Sequence, residues 1–283
     1  MQTMGGGSWN VTTVGIVRLY LMLRIEQFLK EMTHGRSLNP VARNTKAAYG
    51  MTLRRFEEFL GKRKPTPDLA QSWIRHLMEE GLEMSSVSRY GAALRKYLEF
   101  ENLDTSKLRL PTPREKLPEY LKKDVLDEFI RRARSPLERA LIIVLADTGL
   151  RISELLALVP KDIDWEQKLI LAHREKAHNE AWVGIDQKAL DALKEYLDWA
   201  KPKGKIFPHS YAEVYGDLKG LGESMGIKFH PHMLRHTYAI LSLAAGVKLP
   251  IISQQLGHKK LDTTMRYLRL LPQDLIEDRK SIW

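Results

Sequence analysis

The chain contains no cysteine, which excludes disulfides, thiolate metal sites and a cysteine nucleophile and favours an intracellular protein. The longest apolar runs, such as ALIIVLA and YAILSLAA, are far shorter than the roughly 18 residues that a membrane span requires. No segment has the pattern of a cleavable signal peptide. The sequence therefore predicts a cytoplasmic protein that does not cross a membrane.

Acidic residues are too few to balance the basic ones. The chain has 45 Lys and Arg against 35 Asp and Glu, a formal net charge of +10 and a pI near 9.6. Basic side chains that neutralise phosphates gain free energy by releasing condensed counterions, so a nucleic acid is the favoured partner. A merely basic soluble protein is the alternative. The high content of Lys, Arg and Glu is also compatible with a thermophilic source.

The first part of the chain has apolar residues at helical spacing. Residues 1–16, with their glycine run, are expected to be a flexible lead. The remainder of this part predicts a small helical bundle over residues 17–106, with four helices at about 17–33, 44–61, 68–80 and 85–101. Three prolines then disfavour helix, which predicts a basic linker over residues 107–118.

The second part, residues 119–271, is predicted to be mainly helical with a small sheet. SPLERALIIVLADTG reads as a helix with Ser135 at the N-cap and Pro136 at the first helical position. DIDWEQKLILAH and AWVGI alternate well enough to be strands of a three-stranded antiparallel sheet, and helices resume from about Gln187. Residues 272–283 are predicted to be a C-terminal tail.

Two short motifs could meet a phosphate. In HMLRH, His232 and Arg235 are three residues apart, which places both side chains on one face of a helix. In TGLRISEL, Arg151 follows Gly149 at a predicted helix break, where a guanidinium can present its donor fork to phosphate oxygens. Each residue taken alone is more often an ordinary surface or structural residue.

The motifs TGLRISEL, HMLRH, LGH and TTMRYL, in this order and at these separations, resemble those of the tyrosine recombinase family, which includes phage integrases and Xer-type resolvases. The resemblance covers residues 18–283 and is greatest to the Xer type. It implies a mainly α, two-domain DNA clamp. The clamp would combine an N-terminal four-helix SAM-like core-binding domain with a C-terminal mixed α/β catalytic domain.

The resemblance also implies the site. Tyr267 would attack the scissile phosphate and form a 3′-phosphotyrosyl bond, while His232 would assist proton transfer, because a tyrosine with a pKa near 10 is a poor nucleophile at neutral pH. Arg151 and Arg235 would stabilise the transition-state charge without a metal or cofactor, and no ATP would be needed. His258 would donate to the phosphate and Lys176 would protonate the departing 5′-oxygen. The implied catalytic set is Arg151, Lys176, His232, Arg235, His258 and Tyr267.

Several readings of these residues stay open. Lys168 is a second candidate for the general acid, because the turn around Lys176 lacks the glycines usual in the family. Glu154 could orient Arg151 or form a plain surface pair. His232 and His236 have a zinc-protease spacing, but the expected glutamate is Met233. Tyr238 lies in an apolar run and is expected in the core, whereas no such run is expected to bury Tyr267.

The implied partners are double-stranded DNA with an inverted-repeat site and further copies of the chain, as a homotetramer on two duplexes. The tail, with apolar Leu275, Ile276 and Ile282, is expected to dock on a neighbouring protomer. The expected cellular role is resolution of chromosome or plasmid dimers. Integration or excision of a mobile element, a type IB topoisomerase and a non-cutting DNA-binding protein are the alternatives.

Overall fold

The structure is a computed structural model that describes residues 10–32, 43–174, 179–258 and 260–270, with side chains from residue 19 onward except that of Asn179. The chain divides into two compact units, Met1–Glu115 and Lys116–Trp283. The fold is mostly helical with one three-stranded antiparallel sheet, as the sequence predicted. No helix in the described ranges combines the length and the apolar composition needed to cross a bilayer.

The first unit contains four helices: α1 Asn10–Glu31, α2 Arg43–Leu60, α3 Pro67–Glu79 and α4 Met84–Phe100. The last three begin within one residue of their predicted starts. The Thr66 hydroxyl caps α3 by accepting from the Leu69 N–H. The prediction for residues 1–16 was wrong in part, because α1 begins at Asn10. Val14 and Val17 continue the helical spacing of Leu21 into that segment, which the prediction overlooked.

Large aromatic side chains fill the core of this unit. Phe28 packs edge-on against Tyr97 with ring centroids 5.6 Å apart, and Phe56 lies 5.2 Å from Trp73. Leu108, within the segment predicted to be a linker, is buried in the same core. The burial of an apolar face by α1, α2, α3 and α4 explains why these helices are stable together.

The second unit has eight helices in the described ranges: α5 Lys123–Arg131, α6 Pro136–Thr148, α7 Ile152–Leu155, α8 Gln187–Ala200, α9 Tyr211–Ser224, α10 Met233–Ala244, α11 Leu249–Leu256 and α12 Asp262–Met265. Helix α6 is buried along most of its length and packs against α8 and α10. Ser135 caps it as predicted, accepting from the Glu138 N–H. The 3₁₀ turns Pro160–Asp162 and Arg266–Leu270 complete this list.

The sheet consists of β1 Ile163–Asp164, β2 Leu169–Arg174 and β3 Asn179–Gly184, antiparallel in the order β1-β2-β3. Leu169 pairs with Gly184 at one end of the hairpin and Arg174 with Asn179 at the other. Helix α11 is joined to β3 through the Gln255 amide. This amide accepts from the Gly184 N–H at 3.0 Å and donates to the Gly184 carbonyl at 2.7 Å.

Candidate active site

Arg151 lies at a sharp turn between α6 and α7. Helix α6 ends at Gly149, which has φ +66, and a Cβ there would come within 2.7 Å of Leu256 and Tyr238. Glycine is therefore required both by the left-handed backbone and by the close packing. The buried Glu154 carboxylate accepts from the Arg151 backbone N–H at 2.9 Å and forms an ion pair with the Arg151 guanidinium. This pair fixes the direction in which Arg151 points.

Arg235 projects from the first turn of α10 into the interior and is only 4% exposed. Its Nη1 donates to the Gly149 carbonyl at 2.6 Å and its Nη2 to the Leu256 carbonyl at 2.5 Å. Burial, together with the nearby charge of Arg151, lowers the pKa of Arg235 to about 10, so the guanidinium is still charged at neutral pH. Because a guanidinium has five N–H donors, the two backbone contacts leave others for an anion.

A third arginine, Arg174, lies near Arg151 and Glu154. The sequence did not lead us to predict it as a site residue. Its Nη2 donates to the Gln255 carbonyl at 2.6 Å, at the C-terminal end of α11, and its Nε is buried. Burial lowers its pKa, and the charges of Glu154 and Arg151 also act on it. The sequence did contain a signal that Arg174 is buried. Side chains alternate between the two faces of β2, so Arg174 lies on the same buried face of the strand as Ile170 and Ala172.

His258 follows α11 immediately. The helix ends at Gly257 with φ +65, and the His258 N–H donates to the Ser253 carbonyl at 3.0 Å. The His258 Nδ1 is hydrogen-bonded to the Thr264 hydroxyl at 2.8 Å. Burial, followed by the charges of Arg235, Arg151, Arg174 and Arg266, lowers the pKa of His258 to about 4, so the ring is neutral at pH 7.

The hydroxyl of Tyr267 is hydrogen-bonded to Nδ1 of His236 at 2.9 Å. Burial raises the pKa of Tyr267, while the charges of Arg235 and Arg266 oppose the rise. Burial lowers the pKa of His236 to about 3, with His232 and His230 adding to the effect. His232, at the exposed N-terminal end of α10, has its ring centroid 6.2 Å from that of His236. The structure therefore brings His236, which was not among the predicted catalytic residues, into contact with the nucleophile.

These elements bring together five of the six residues predicted to be catalytic. Arg151, Arg235 and His258 influence one another electrostatically, and Arg235 and Tyr267 do the same. Three cationic or hydrogen-bonding groups next to a tyrosine can bind an oxyanion and present a nucleophile to it.

Models of known protein families match both parts of the chain. The sequence model of the phage integrase family matches residues 119–274, and that of the phage integrase N-terminal SAM-like domain matches residues 24–102. The chain belongs to the phage integrase family of tyrosine recombinases. The family match contains all six residues that the resemblance predicted to be catalytic. The SAM-like match agrees with the expected class of the N-terminal domain.

Xer-type recombinases are among its relatives. Tyrosine recombinase XerA of Saccharolobus solfataricus is 31% identical over 241 residues, covering 80% of this chain and 82% of that protein. XerA of Thermococcus onnurineus is 30% identical over 273 residues, covering 90% and 94%. Among solved structures, XerH bound to a palindromic difH substrate in a post-cleavage complex superposes with a TM-score of 0.72 at 19% identity, covering 94% and 97%. A lambda integrase dimer on a core site gives 0.70 at 16%, covering 88% and 94%.

The expected exposure of the recombinase's tyrosine was wrong. Tyr267 is only 2% exposed and packs against Ile240, Ile252 and Leu256, whereas Tyr238 is half-buried. No apolar run surrounds Tyr267 in the sequence, but the 3₁₀ turn that carries it packs onto α10. Burial by residues distant in the chain leaves no local sequence signal.

Lys176 lies outside the described residues, between the ends of β2 and β3. The alternative, Lys168, is exposed in the turn before β2, with φ +56. Six residue steps along a strand separate Lys168 from Arg174, or about 20 Å. Lys168 is therefore at the end of the sheet remote from the arginines, which favours Lys176 as the acid.

The zinc reading of His232 and His236 finds no support among the described residues, where no group of three or more His, Cys, Asp or Glu side chains is placed to hold a metal ion. The Nδ1 of His236 faces Tyr267 instead.

Proposed function

We propose that this tyrosine recombinase cleaves and rejoins DNA at a specific site through a covalent bond between Tyr267 and the 3′-phosphate. The observation that carries the proposal is the placement of Tyr267 near Arg235, whose guanidinium is fixed by the Gly149 and Leu256 carbonyls. A preorganised charge beside a nucleophile is what phosphoryl transfer requires.

In the proposed reaction the phosphate binds to Arg151 and Arg235, and His258 donates a further hydrogen bond. The Tyr267 oxygen attacks phosphorus, and the bond to the 5′-oxygen breaks. Lys176 gives that oxygen a proton, so a 5′-hydroxyl leaves. A basic group must take the tyrosyl proton, and the resemblance gives this role to His232.

Rejoining is the same reaction in reverse, with the 5′-hydroxyl of a partner strand as nucleophile. The bond energy is retained in the phosphotyrosine, so the proposal requires neither ATP nor a metal. Because Tyr267 is almost completely buried, attack requires the side chains that cover it to move aside.

We further propose that the substrate is a duplex with inverted repeats, acted on in the cytoplasm by four protomers on two duplexes. The net positive charge favours such a partner, with both units contributing phosphate contacts. The tail expected to link protomers, residues 272–283, lies outside the described residues. The cellular role would be resolution of chromosome or plasmid dimers during chromosome partition at cell division, in line with the Xer-type relatives. Similarity in fold to a transposon integrase keeps DNA integration as the second candidate.

The test is a covalent-adduct assay. Sheared genomic DNA of the organism that encodes the chain is incubated with wild type or with Tyr267→Phe, in EDTA and without ATP, and adducts are trapped with SDS and sequenced. We expect wild type alone to form adducts, at one or a few inverted repeats. Adducts without site preference would indicate a topoisomerase, and DNA binding without adducts would indicate a non-cutting protein.

The role of Lys176 can be tested separately with a substrate whose 5′-bridging oxygen is replaced by sulfur. A thiolate leaves without protonation, so this substrate should restore cleavage to Lys176→Ala but not to Arg151→Ala. Failure to restore cleavage would assign the acid role to another residue.

A further inference from the structure

We infer that Arg174 is a positioning residue for the reaction, because its guanidinium holds the carbonyl end of α11 and thereby fixes His258. The inference rests on the proposed function, in which His258 donates a hydrogen bond to the scissile phosphate. The family resemblance assigned no role to Arg174. The contact that carries the inference is the 2.6 Å hydrogen bond from Arg174 Nη2 to the carbonyl of Gln255, three residues before His258.

The C-terminal end of α11 leads directly into His258. The last four carbonyl groups of a helix have no partners within it. The backbone that follows α11 satisfies two of them. The Gly257 N–H donates to the Gln254 carbonyl at 2.9 Å, and the His258 N–H donates to the Ser253 carbonyl at 3.0 Å. The position of the His258 backbone therefore depends on the position of this helix end.

Two arginines hold the remaining carbonyls of α11. Arg174 Nη2 donates to the Gln255 carbonyl and makes a longer contact of 3.4 Å with the Gln254 carbonyl. Arg235 Nη2 donates to the Leu256 carbonyl at 2.5 Å. Positive charge at the C-terminal end of a helix is also favoured by the helix dipole. Each of the last four carbonyls thus has a partner, and guanidinium groups from β2 and α10 hold the last two.

The packing around Arg174 leaves its guanidinium little room to move. Arg174 is only 9% exposed, and its Nε is buried. A Cβ at Gly257 would overlap the Nη1 and Cζ of Arg174, so the guanidinium lies directly against the Gly257 backbone. Arg174 therefore contacts both the last turn of α11 and the residue that joins this turn to His258.

The charge of Arg174 also acts on the His258 ring. Burial and four arginines, Arg174 among them, lower the pKa of His258 to about 4. A neutral imidazole has one N–H. When the His258 Nδ1 accepts from the Thr264 hydroxyl, 2.8 Å away, the N–H is on Nε2 and can be donated to a phosphate. Arg174 thus favours the neutral form of His258 as well as fixing its backbone.

Two substitutions separate the position of the guanidinium from its charge. Arg174→Gln removes the charge and shortens the side chain, whereas Arg174→Lys keeps the charge but replaces the planar donor fork with one ammonium. The control is Arg134→Gln in the same unit, because Arg134 also donates to a backbone carbonyl, that of Asp217, and pairs with the buried Glu138. The readout is the single-turnover rate on a saturating duplex that carries the site recovered in the adduct assay.

We expect both Arg174 variants to form adducts about 10²-fold more slowly than wild type, because a displacement of about 1 Å in an active site can cause such a loss. Arg134→Gln should keep the wild-type rate, although it too loses stability. A wild-type rate in Arg174→Gln, or equal slowing in Arg134→Gln, would overturn the inference. So would full recovery in Arg174→Lys, because charge alone would then be sufficient.

A double-mutant cycle tests whether Arg174 acts through His258. In His258→Ala no imidazole remains to be positioned, so adding Arg174→Gln should slow cleavage little further. The double variant should therefore be about as slow as the slower of the two single variants. Losses that multiply would mean that Arg174 acts independently of His258, which would contradict the inference.

A measurement on the wild-type protein keeps the inference testable if the Arg174 variants fail to fold. A guanidinium held by hydrogen bonds rotates slowly and gives separate Nη signals in NMR of arginine-labelled protein, whereas a freely rotating one gives averaged signals. We expect separate Nη signals for Arg174, and averaged ones would overturn the inference. If wild type forms no Tyr267-dependent adduct, the proposed function itself fails, an outcome distinct from a normal rate in Arg174→Gln.

Discussion

The Nη1 of Arg235 and the carbonyl oxygen of Gly149 are 86 residues apart in the chain and 2.6 Å apart in space. The carbonyl belongs to the turn that begins the Arg151 segment, and the second Arg235 contact, to Leu256, lies two residues before His258. One guanidinium thus connects the three segments that supply the proposed phosphate-binding residues. Its geometry sets the geometry of the site.

Arg235→Lys should damage both stability and cleavage. A lysine has a single ammonium and cannot reproduce the two fixed contacts, so one or both carbonyls lose a donor. We expect the unfolding free energy to fall by about 1 to 3 kcal/mol and adduct formation to slow by at least about 10²-fold. Urea denaturation and the adduct assay measure the two effects. Arg139→Lys, at an exposed pair with Glu195, is the control and should change neither. Wild-type cleavage by Arg235→Lys would contradict the proposed role.

Glu154→Gln should slow cleavage more than it weakens DNA binding. The amide can still accept from the Arg151 N–H but loses the ion pair that directs the guanidinium, so Arg151 would meet the phosphate in the wrong orientation. Glu154→Ala should be worse, because it also removes the acceptor for a partly buried N–H, at a cost of about 1 to 3 kcal/mol of stability.

Glu195→Gln is the matched control for Glu154, because its pair with Arg139 is exposed and 3.6 Å long. It should change the activation free energy of cleavage and the free energy of unfolding by no more than a few tenths of a kcal/mol, which is about what other surface ion pairs contribute. Equal effects of the two substitutions would show that the Arg151–Glu154 pair is an ordinary surface contact.

Gly257→Ala should destabilise the protein more than Gly246→Ala. Both glycines have positive φ, +65 and +82, so each alanine meets the same backbone penalty of about 1 to 2 kcal/mol. Around Gly246 nothing lies within 4 Å of a Cβ, whereas at Gly257 a Cβ would overlap the Arg174 guanidinium. The excess loss of unfolding free energy in Gly257→Ala measures the displacement of Arg174. Equal losses would mean that Arg174 moves aside freely.

Asp147→Asn should become stabilising as the pH rises. Burial raises the pKa of Asp147 to about 6 from 3.8, so the folded protein holds this proton more tightly than the unfolded chain does. The contribution of Asp147 to stability is therefore present below its pKa in the unfolded chain. It is lost as the pH rises through its pKa in the folded protein. Asparagine does not ionise, yet it can still accept from the Asp186 N–H, a contact of 2.8 Å in wild type.

Between about pH 4 and about pH 8, the free energy of unfolding of Asp147→Asn should rise by about 1 to 3 kcal/mol relative to that of wild type. Denaturation at the two pH values measures this difference. Asp198→Asn is the control because Asp198 is exposed, and its free energy of unfolding should differ little from that of wild type at either pH. A stability difference for Asp147→Asn that does not change with pH would contradict the raised pKa.

The sequence predicted the elements well because their signals are local. Ser135 and Thr66 precede prolines at helix starts, and alternation marked the strands. A family resemblance supplied the predicted catalytic set, of which Arg151, Arg235 and His258 lie close to one another. The contacts between them were not predictable in the same way. Helical spacing places Arg235 on a face but does not show that a carbonyl 86 residues earlier will receive its guanidinium.

Two further residues show the same limit. His236 was considered only for its spacing from His232, because nothing local indicates that a tyrosine 31 residues later packs against it. The burial of Tyr267 was missed for a similar reason, since the side chains that cover it come from α10 and α11. Tertiary packing decides both.

The two hydrogen bonds between the Gln255 amide and Gly184 have a consequence beyond holding α11 in place. Strand β3 is an outer strand, and an outer strand normally offers unpaired N–H and carbonyl groups to any other strand that approaches. At Gly184 the carboxamide of Gln255 presents one acceptor and one donor, as another peptide group would. A foreign strand that paired there would have to displace the chain's own helix. The protein thus protects this part of its sheet against aggregation with a single side chain.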